Sequence, residues 1–152
     1  MPAAEIEQIA YAREDFRYFT PLATRWGDCD MMGHINNVIL IRYLESGRLD
    51  YLQELIGMDM QASSREGIII ADLKVSFLGQ VHHPLQIEVA TRISRIGNSS
   101  MIFDSAIFLP SAQQPALSAR ATLVWFDYQK NASLRVPQQA RETIIQYEGL
   151  QS

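Results

Sequence analysis

The thirteen residues Arg25-Trp26-Gly27-Asp28-Cys29-Asp30-Met31-Met32-Gly33-His34-Ile35-Asn36-Asn37 bring together two carboxylates, a glycine turn, a histidine and two asparagines, immediately ahead of an apolar segment with helical spacing. A carboxylate just ahead of a helix start faces backbone N–H groups that have no intrahelical acceptor, and it faces the positive end of the helix dipole. Such a junction can polarise a carbonyl and deliver water to it. Hydrolysis of an activated acyl group is the chemistry these residue types suit. The simpler alternative is a carboxylate that only caps, stabilising the helix by roughly 0.5–2 kcal/mol. Cys29, between the two acids, is a poor nucleophile there and reads as a small packed residue.

The elements that position this loop follow from pattern. Phe16 to Trp26 is rich in aromatic and β-branched residues with Pro21 in the middle, so it reads as a first strand at a sheet edge or with a bulge. Asn36 or Asn37 suits a helix N-cap, and Val38 to Ile56 continues without a breaker except Gly47 until Gly57. At 100° per residue, Leu40, Ile41, Leu44, Tyr51, Leu52 and Leu55 share one arc. Gly47 sits at the edge of that arc, where a missing side chain permits close approach to a neighbour at about 1 kcal/mol in helix propensity. Arg48 falls inside the arc and is expected to pair with Glu45 while its stem packs on the sheet.

Downstream the period becomes two. Asp72 to Phe77 and Leu85 to Val89 alternate strictly, Gly97-Asn98-Ser99 signals a hairpin turn, and Met101 to Leu109 is a further strand. Ala121 to Phe126 is nearly continuous in apolar residues, as a central strand would be. Pro137 opens a short terminal helix, from Gln138 to about Tyr147. His82-His83-Pro84 reads as a turn, and adjacent histidines facing opposite sides make a poor chelate, so no metal is expected. The class is α+β: five largely antiparallel strands and one long helix in a single domain over residues 1–152. Residues 1–13 are expected to be a short helix or a mobile N-terminal segment. A sheet covered by one helix leaves a face or edge open, which favours a second copy of the chain.

Composition excludes some function classes. With 47% apolar and 20% charged residues and a net charge of −4, the chain is an ordinary globular sequence without an overall basic field, so nucleic acid is not an expected partner. One cysteine allows neither an intrachain disulfide nor a cysteine zinc cluster. No apolar run reaches the ~20 residues a membrane span requires, and the acidic start has no apolar signal region. A cytoplasmic location is the expectation.

On the motif Trp26-Gly27-Asp28-Cys29-Asp30, Gly33-His34-Ile35-Asn36-Asn37, then Tyr43-Leu44-Glu45 and Arg48, the chain resembles the hotdog-fold acyl thioesterases of the 4-hydroxybenzoyl-CoA thioesterase type. Within them it looks like the branch that includes bacterial long-chain acyl-CoA thioesterases. Plant acyl-carrier-protein thioesterases carry a related pattern. Leu73 to Leu78, the turn Ile96 to Ser100 and Val124 to Asp127 extend the likeness less specifically.

The resemblance implies a sheet wrapped around the long helix, dimers joined edge to edge or assembled into tetramers, and active sites at the subunit interface. It also implies Asp30 as catalytic base or nucleophile, and the backbone N–H of Asn37 as donor to the thioester carbonyl. His34 would orient water, bond the carbonyl or hold the loop. Gly33 and Asn36 would organise the substrate pocket. Arg92, Arg95, Ser99 and Ser100, around the second turn, offer charge and donors for the phosphates of a pantetheine nucleotide. The expected activity is acyl-CoA hydrolysis with coenzyme A only as part of the substrate and no other cofactor. Alternatives are the same chemistry on an acyl carrier protein, a non-catalytic binder of acyl thioesters, and a hotdog dehydratase, whose loop pattern this sequence does not follow.

Overall fold

The computed structural model describes residues 6–151. The elements in chain order are β1 (Tyr18–Ala23), α1 (Asn37–Tyr51), β2 (Glu66–Phe77), β3 (Gln86–Ile96), β4 (Ser100–Phe108), β5 (Leu117–Asp127), the two-residue β6 (Ala132–Ser133) and α2 (Gln138–Glu148). The main strands lie in the order β1-β3-β4-β5-β2, with every neighbouring pair antiparallel, and β6 adds to β5. Pro21, which has no N–H for a ladder, lies in β1 at one edge of this sheet. The other edge is β2. This is the antiparallel sheet and long helix of the hotdog fold.

Alternation decides the two faces. Val89, Phe103, Ile107, Leu117 and Ala121 point to the concave side, where α1 lies, and register breaks at Ile70/Asp72 and Ile93/Arg95 allow the sheet to curl. Leu40, Tyr43, Leu44, Gly47, Arg48 and Tyr51 of α1 are buried. The helix continues as a π-helical turn over Leu52–Ile56 and stops at Gly57, whose φ of 73° supplies the left-handed cap. Two polar ties fix its far half: Asp50 Oδ2 accepts from Thr20 Oγ1 at 2.6 Å and Tyr18 Oη at 3.1 Å, while Glu148 Oε1 accepts from Tyr51 Oη at 2.6 Å and from the Ile93 N–H at 3.1 Å.

Three expectations change. The middle strand is β4, buried almost throughout, whereas β5 alternates between buried and half-buried positions because its outer face is only thinly covered. Arg48 makes no ion pair with Glu45; Glu45 points to solvent while the Arg48 side chain turns inward. The N-terminal segment is not helical over most of its described length. The Ile9 N–H donates to Ser76 Oγ at 2.9 Å, and Tyr11 and Phe16 pack with Ala90, Ala106 and Phe108 on the convex face. Residues 1–5 of that expected segment lie outside the described residues.

Gly47 is where α1 touches β3. A β-carbon there would fall 2.4 Å from Val89 Cγ1 and 3.1 Å from Thr91 Oγ1. Overpacking of this kind costs about 1–3 kcal/mol, against about 1 kcal/mol regained in helix propensity. Gly47→Ala is therefore expected to lower the free energy of unfolding by up to about 2 kcal/mol in a urea titration, although alanine is the better helix former.

Candidate active site

The segment between β1 and α1 is a miniature hairpin that ends in a helix. The Asn36 N–H donates to Asp28 O at 3.0 Å, the Asp30 N–H to His34 O at 2.8 Å and the Gly33 N–H to Asp30 O at 3.2 Å. Gly33, at φ 80°, takes the left-handed position that this turn requires. The loop is anchored from two sides. The Ile35 N–H donates to Val81 O at 2.8 Å, and His34 pairs with His82, their rings edge to face at 4.5 Å. On the helix side Tyr43 Oη donates to Asp28 Oδ2 at 2.5 Å. Burial and this bond hold the Tyr43 phenol above its ordinary range, so Asp28 keeps a neutral donor across physiological pH.

Asn36 is the N-cap: its Oδ1 accepts the Val38 N–H at 2.8 Å, and the Asn37 side chain accepts the same N–H at 3.0 Å. The backbone N–H of Asn37 has no acceptor among the described residues. Asp30 is exposed. Its Oδ1 accepts from the N–H groups of Met32 at 2.9 Å and His34 at 3.2 Å, which fixes the carboxylate on the turn, and its Oδ2 accepts from no described residue. The junction thus presents one free carboxylate oxygen and one free helix-start donor. That is the pair of groups an acyl carbonyl under attack needs.

The expected phosphate contacts are not brought to this loop within one chain. Arg92 is engaged by Asp104, with Nε 3.1 Å from Oδ2, and it also donates to Asp15 O at 2.9 Å. Arg95, Ser99 and Ser100 lie at the far end of β3. The near end, Gln86, pairs with Ala23 beside the loop, and nine residues at about 3.3 Å each put Arg95 roughly 30 Å further along. Two cations outside that expected set are closer. Arg25 and Arg42 line a cavity of about 590 Å³ between the end of β1, the loop and α1, which Asp28 and Tyr43 also border. Arg25 directly precedes the motif and Arg42 stands one helical turn inside α1, but only the fold shows that they share a cavity. Among the described residues no group of three or more His, Cys, Asp or Glu is arranged to hold a metal ion.

Comparison with known proteins identifies the family. Residues 24–144 match the model of the Thioesterase-like superfamily, and the chain belongs to that family. It is 30% identical over 127 residues to the chloroplast acyl-acyl carrier protein thioesterase ATL3 of Arabidopsis thaliana, with 83% of this chain and 66% of that protein aligned. The chain therefore spans about two thirds of that relative's length. The crystal structure of the PA5185 protein from Pseudomonas aeruginosa superposes with a TM-score of 0.84 at 28% identity, over 95% of this chain and 98% of that one. A thioesterase of Thermus thermophilus, complexed with coenzyme A and Zn, shares the fold at a TM-score of 0.75 and 23% identity, over 90% of this chain and 97% of that one.

The Tyr43–Asp28 bond gives a pH-dependent expectation. A phenol whose folded pKa is raised above the unfolded value near 10 contributes stability below about pH 10 and loses it as pH rises further. Tyr43→Phe is expected to be about 1 kcal/mol less stable than the native protein at pH 8, with the gap closing above pH 10 in unfolding curves.

Proposed function

We infer that this protein hydrolyses acyl thioesters, with acyl-CoA as the substrate class, at the junction of the Asp30 hairpin and α1. The observation that carries the reading is the pairing of a turn-fixed Asp30 carboxylate, one oxygen unused, with the acceptor-free N–H of Asn37. The thioester oxygen receives the Asn37 N–H. Asp30 then either takes a proton from water as that water adds to the carbonyl carbon, or adds to the carbon itself to give an anhydride that water cleaves. The carbon–sulfur bond breaks with the electron pair on sulfur, and the thiolate departs without a strong general acid because thiols ionise near pH 8.5. His34, held by His82, orients the loop and the water, while Gly33 and Asn36 keep the turn and the helix start in place.

For the nucleotide end of the substrate this reading assigns Arg25 and Arg42 rather than Arg92. Arg25→Ala together with Arg42→Ala is expected to raise KM about tenfold or more for acyl-CoA and to leave KM for an acyl-pantetheine without phosphates unaltered. A carrier-protein thioester is the second reading, favoured by the likeness to ATL3; the net charge of −4 opposes attraction to an acidic carrier. Trp26, Met31, Met32 and Val38 stand exposed around the junction, and β2 has an open edge. A second copy of the chain would cover such a surface, and the reading takes a homodimer as the working unit.

Thiol release from a panel of acyl-CoA and acyl-carrier-protein thioesters tests the whole assignment. Asp30→Asn, with a native circular dichroism spectrum, is expected to lose at least about a hundredfold in kcat. Unaltered turnover in that variant would remove Asp30 from the mechanism.

A further inference from the structure

Arg48, inside the apolar arc of α1, is used neither by the fold's polar ties nor by the proposed chemistry. Its residue surface is 7% exposed, and its guanidinium makes no hydrogen bond or ion pair with any described residue. Desolvation lowers its pKa from the ordinary guanidinium value, with the charge of Glu45 opposing the shift. The side chain lines a cavity of about 440 Å³ bounded by the second half of α1, the segment after it and the concave face of the β2–β5 pair. Leu49, Leu52, Met58, Ile68 and Leu123 make most of that lining apolar. Gln61, Ser64 and Tyr128 are the other neutral polar side chains on the lining, and a largely apolar cavity with a few polar groups is the form of a small-molecule site.

Position relates this cavity to the thioester site. Arg48 follows Asn37 by eleven residues, about three helical turns, so the two lie on nearly the same line along α1 with Ile41 and Glu45 between them. The rise between them is about 16 Å. An extended methylene chain advances about 1.25 Å per carbon, from C–C bonds near 1.5 Å at close to tetrahedral angles. A chain anchored at the Asn37 N–H would bring roughly its twelfth to fourteenth carbon to Arg48.

The rest of the wall selects the chemistry of that far end. Glu45, Asp59 and Glu66 also border the cavity, so a terminal carboxylate would meet three acids for one guanidinium. A hydroxyl meets no such penalty, because it accepts from Arg48 and can donate to a carboxylate. Resting on the thioesterase reading above, we propose that Arg48 is a specificity-determining residue that binds a hydroxyl near the distal end of a medium-to-long acyl chain, so that ω-hydroxyacyl thioesters are preferred over unsubstituted ones.

The test compares dodecanoyl-CoA with 12-hydroxydodecanoyl-CoA for the native protein, Arg48→Met and Arg48→Lys, with oligomeric state measured for each by light scattering. The native kcat/KM is expected to favour the hydroxylated ester about tenfold or more, as a hydrogen bond from a charged donor provides. Arg48→Met is expected to bring the ratio to about one, and Arg48→Lys to keep part of the preference. A native ratio near one, an equal fall on both esters in Arg48→Met, or dissociation of the assembly in that variant would overturn the proposal, the last by assigning Arg48 to a subunit contact. Calorimetric binding of free 12-hydroxydodecanoate against dodecanoate, on Asp30→Asn protein, separates the two readings. A preference for the hydroxy acid there, without turnover by the native protein, would sink the hydrolase reading and leave the Arg48 site standing. No preference in binding alongside active hydrolysis would do the reverse.

Discussion

The close contact between α1 and β3, possible only because position 47 has no β-carbon, sets the geometry from which the site follows. With Gly47 seated on Val89, the helix lies in the curl of the sheet, and its remaining freedom is rotation and sliding along its axis. Those are removed at the far end by the acceptors Asp50 and Glu148, which bind hydroxyls from β1 and α1 and a backbone N–H from β3. Each of these carboxylates takes more than one donor, so neither is left as an isolated charge. A helix fixed in this way presents its first turn at a defined place, which a hydrolytic site built on a helix-start donor requires.

The loop that leads into that helix solves a separate problem. A free carboxylate close to a helix start would ordinarily fold back as the cap and lose its chemistry. Here the cap is Asn36, and Asp28 is committed to Tyr43, so the capping and anchoring duties fall on neighbours of Asp30. Asp30 spends one oxygen on the turn and keeps the other. The carboxylate is thereby oriented by two backbone donors without being neutralised by a cation, since no basic side chain pairs with it among the described residues.

Much of this was legible in the residues because the physics is local. The alternation in β2 and β3, the Gly97-Asn98-Ser99 turn, the Asn36 cap and the Gly57 stop are each settled by a few adjacent side chains. The role of Gly47 was readable too, as a gap in an apolar arc. What escaped depends on partners far away in sequence. Nothing near Arg92 indicates that Asp104 will lie opposite it on β4, and nothing near Arg25 indicates that Arg42 will share its cavity. Tyr11 lies in a segment of weak periodicity because it packs as a single extended strip, whose contacts come from β4 and β5 rather than from its own repeat. Arg48 and Glu45 have the spacing of an ion pair, but burial of one and exposure of the other separates them.

Two buried charges on opposite faces of the sheet show how differently this fold treats ionic groups. Asp104, on the convex side, is fully buried. Burial alone would push its carboxyl up, yet bonds from Arg120 and Tyr11 hold it below the usual carboxylate range, with Arg92 a third partner. That cluster joins the N-terminal segment to three strands, and its charges are consumed by closing the convex face. Arg48, on the concave side, has no such partners among the described residues. Its stem is buried, but its guanidinium nitrogens keep contact with solvent. A chain that surrounds Asp104 with three donors has the means to give Arg48 an acceptor, and Glu45 stands only three residues away. The acceptor that relieves Arg48 must therefore come from outside the described chain, as solvent or as a bound group, and the cavity onto which its guanidinium opens is the route by which it would arrive.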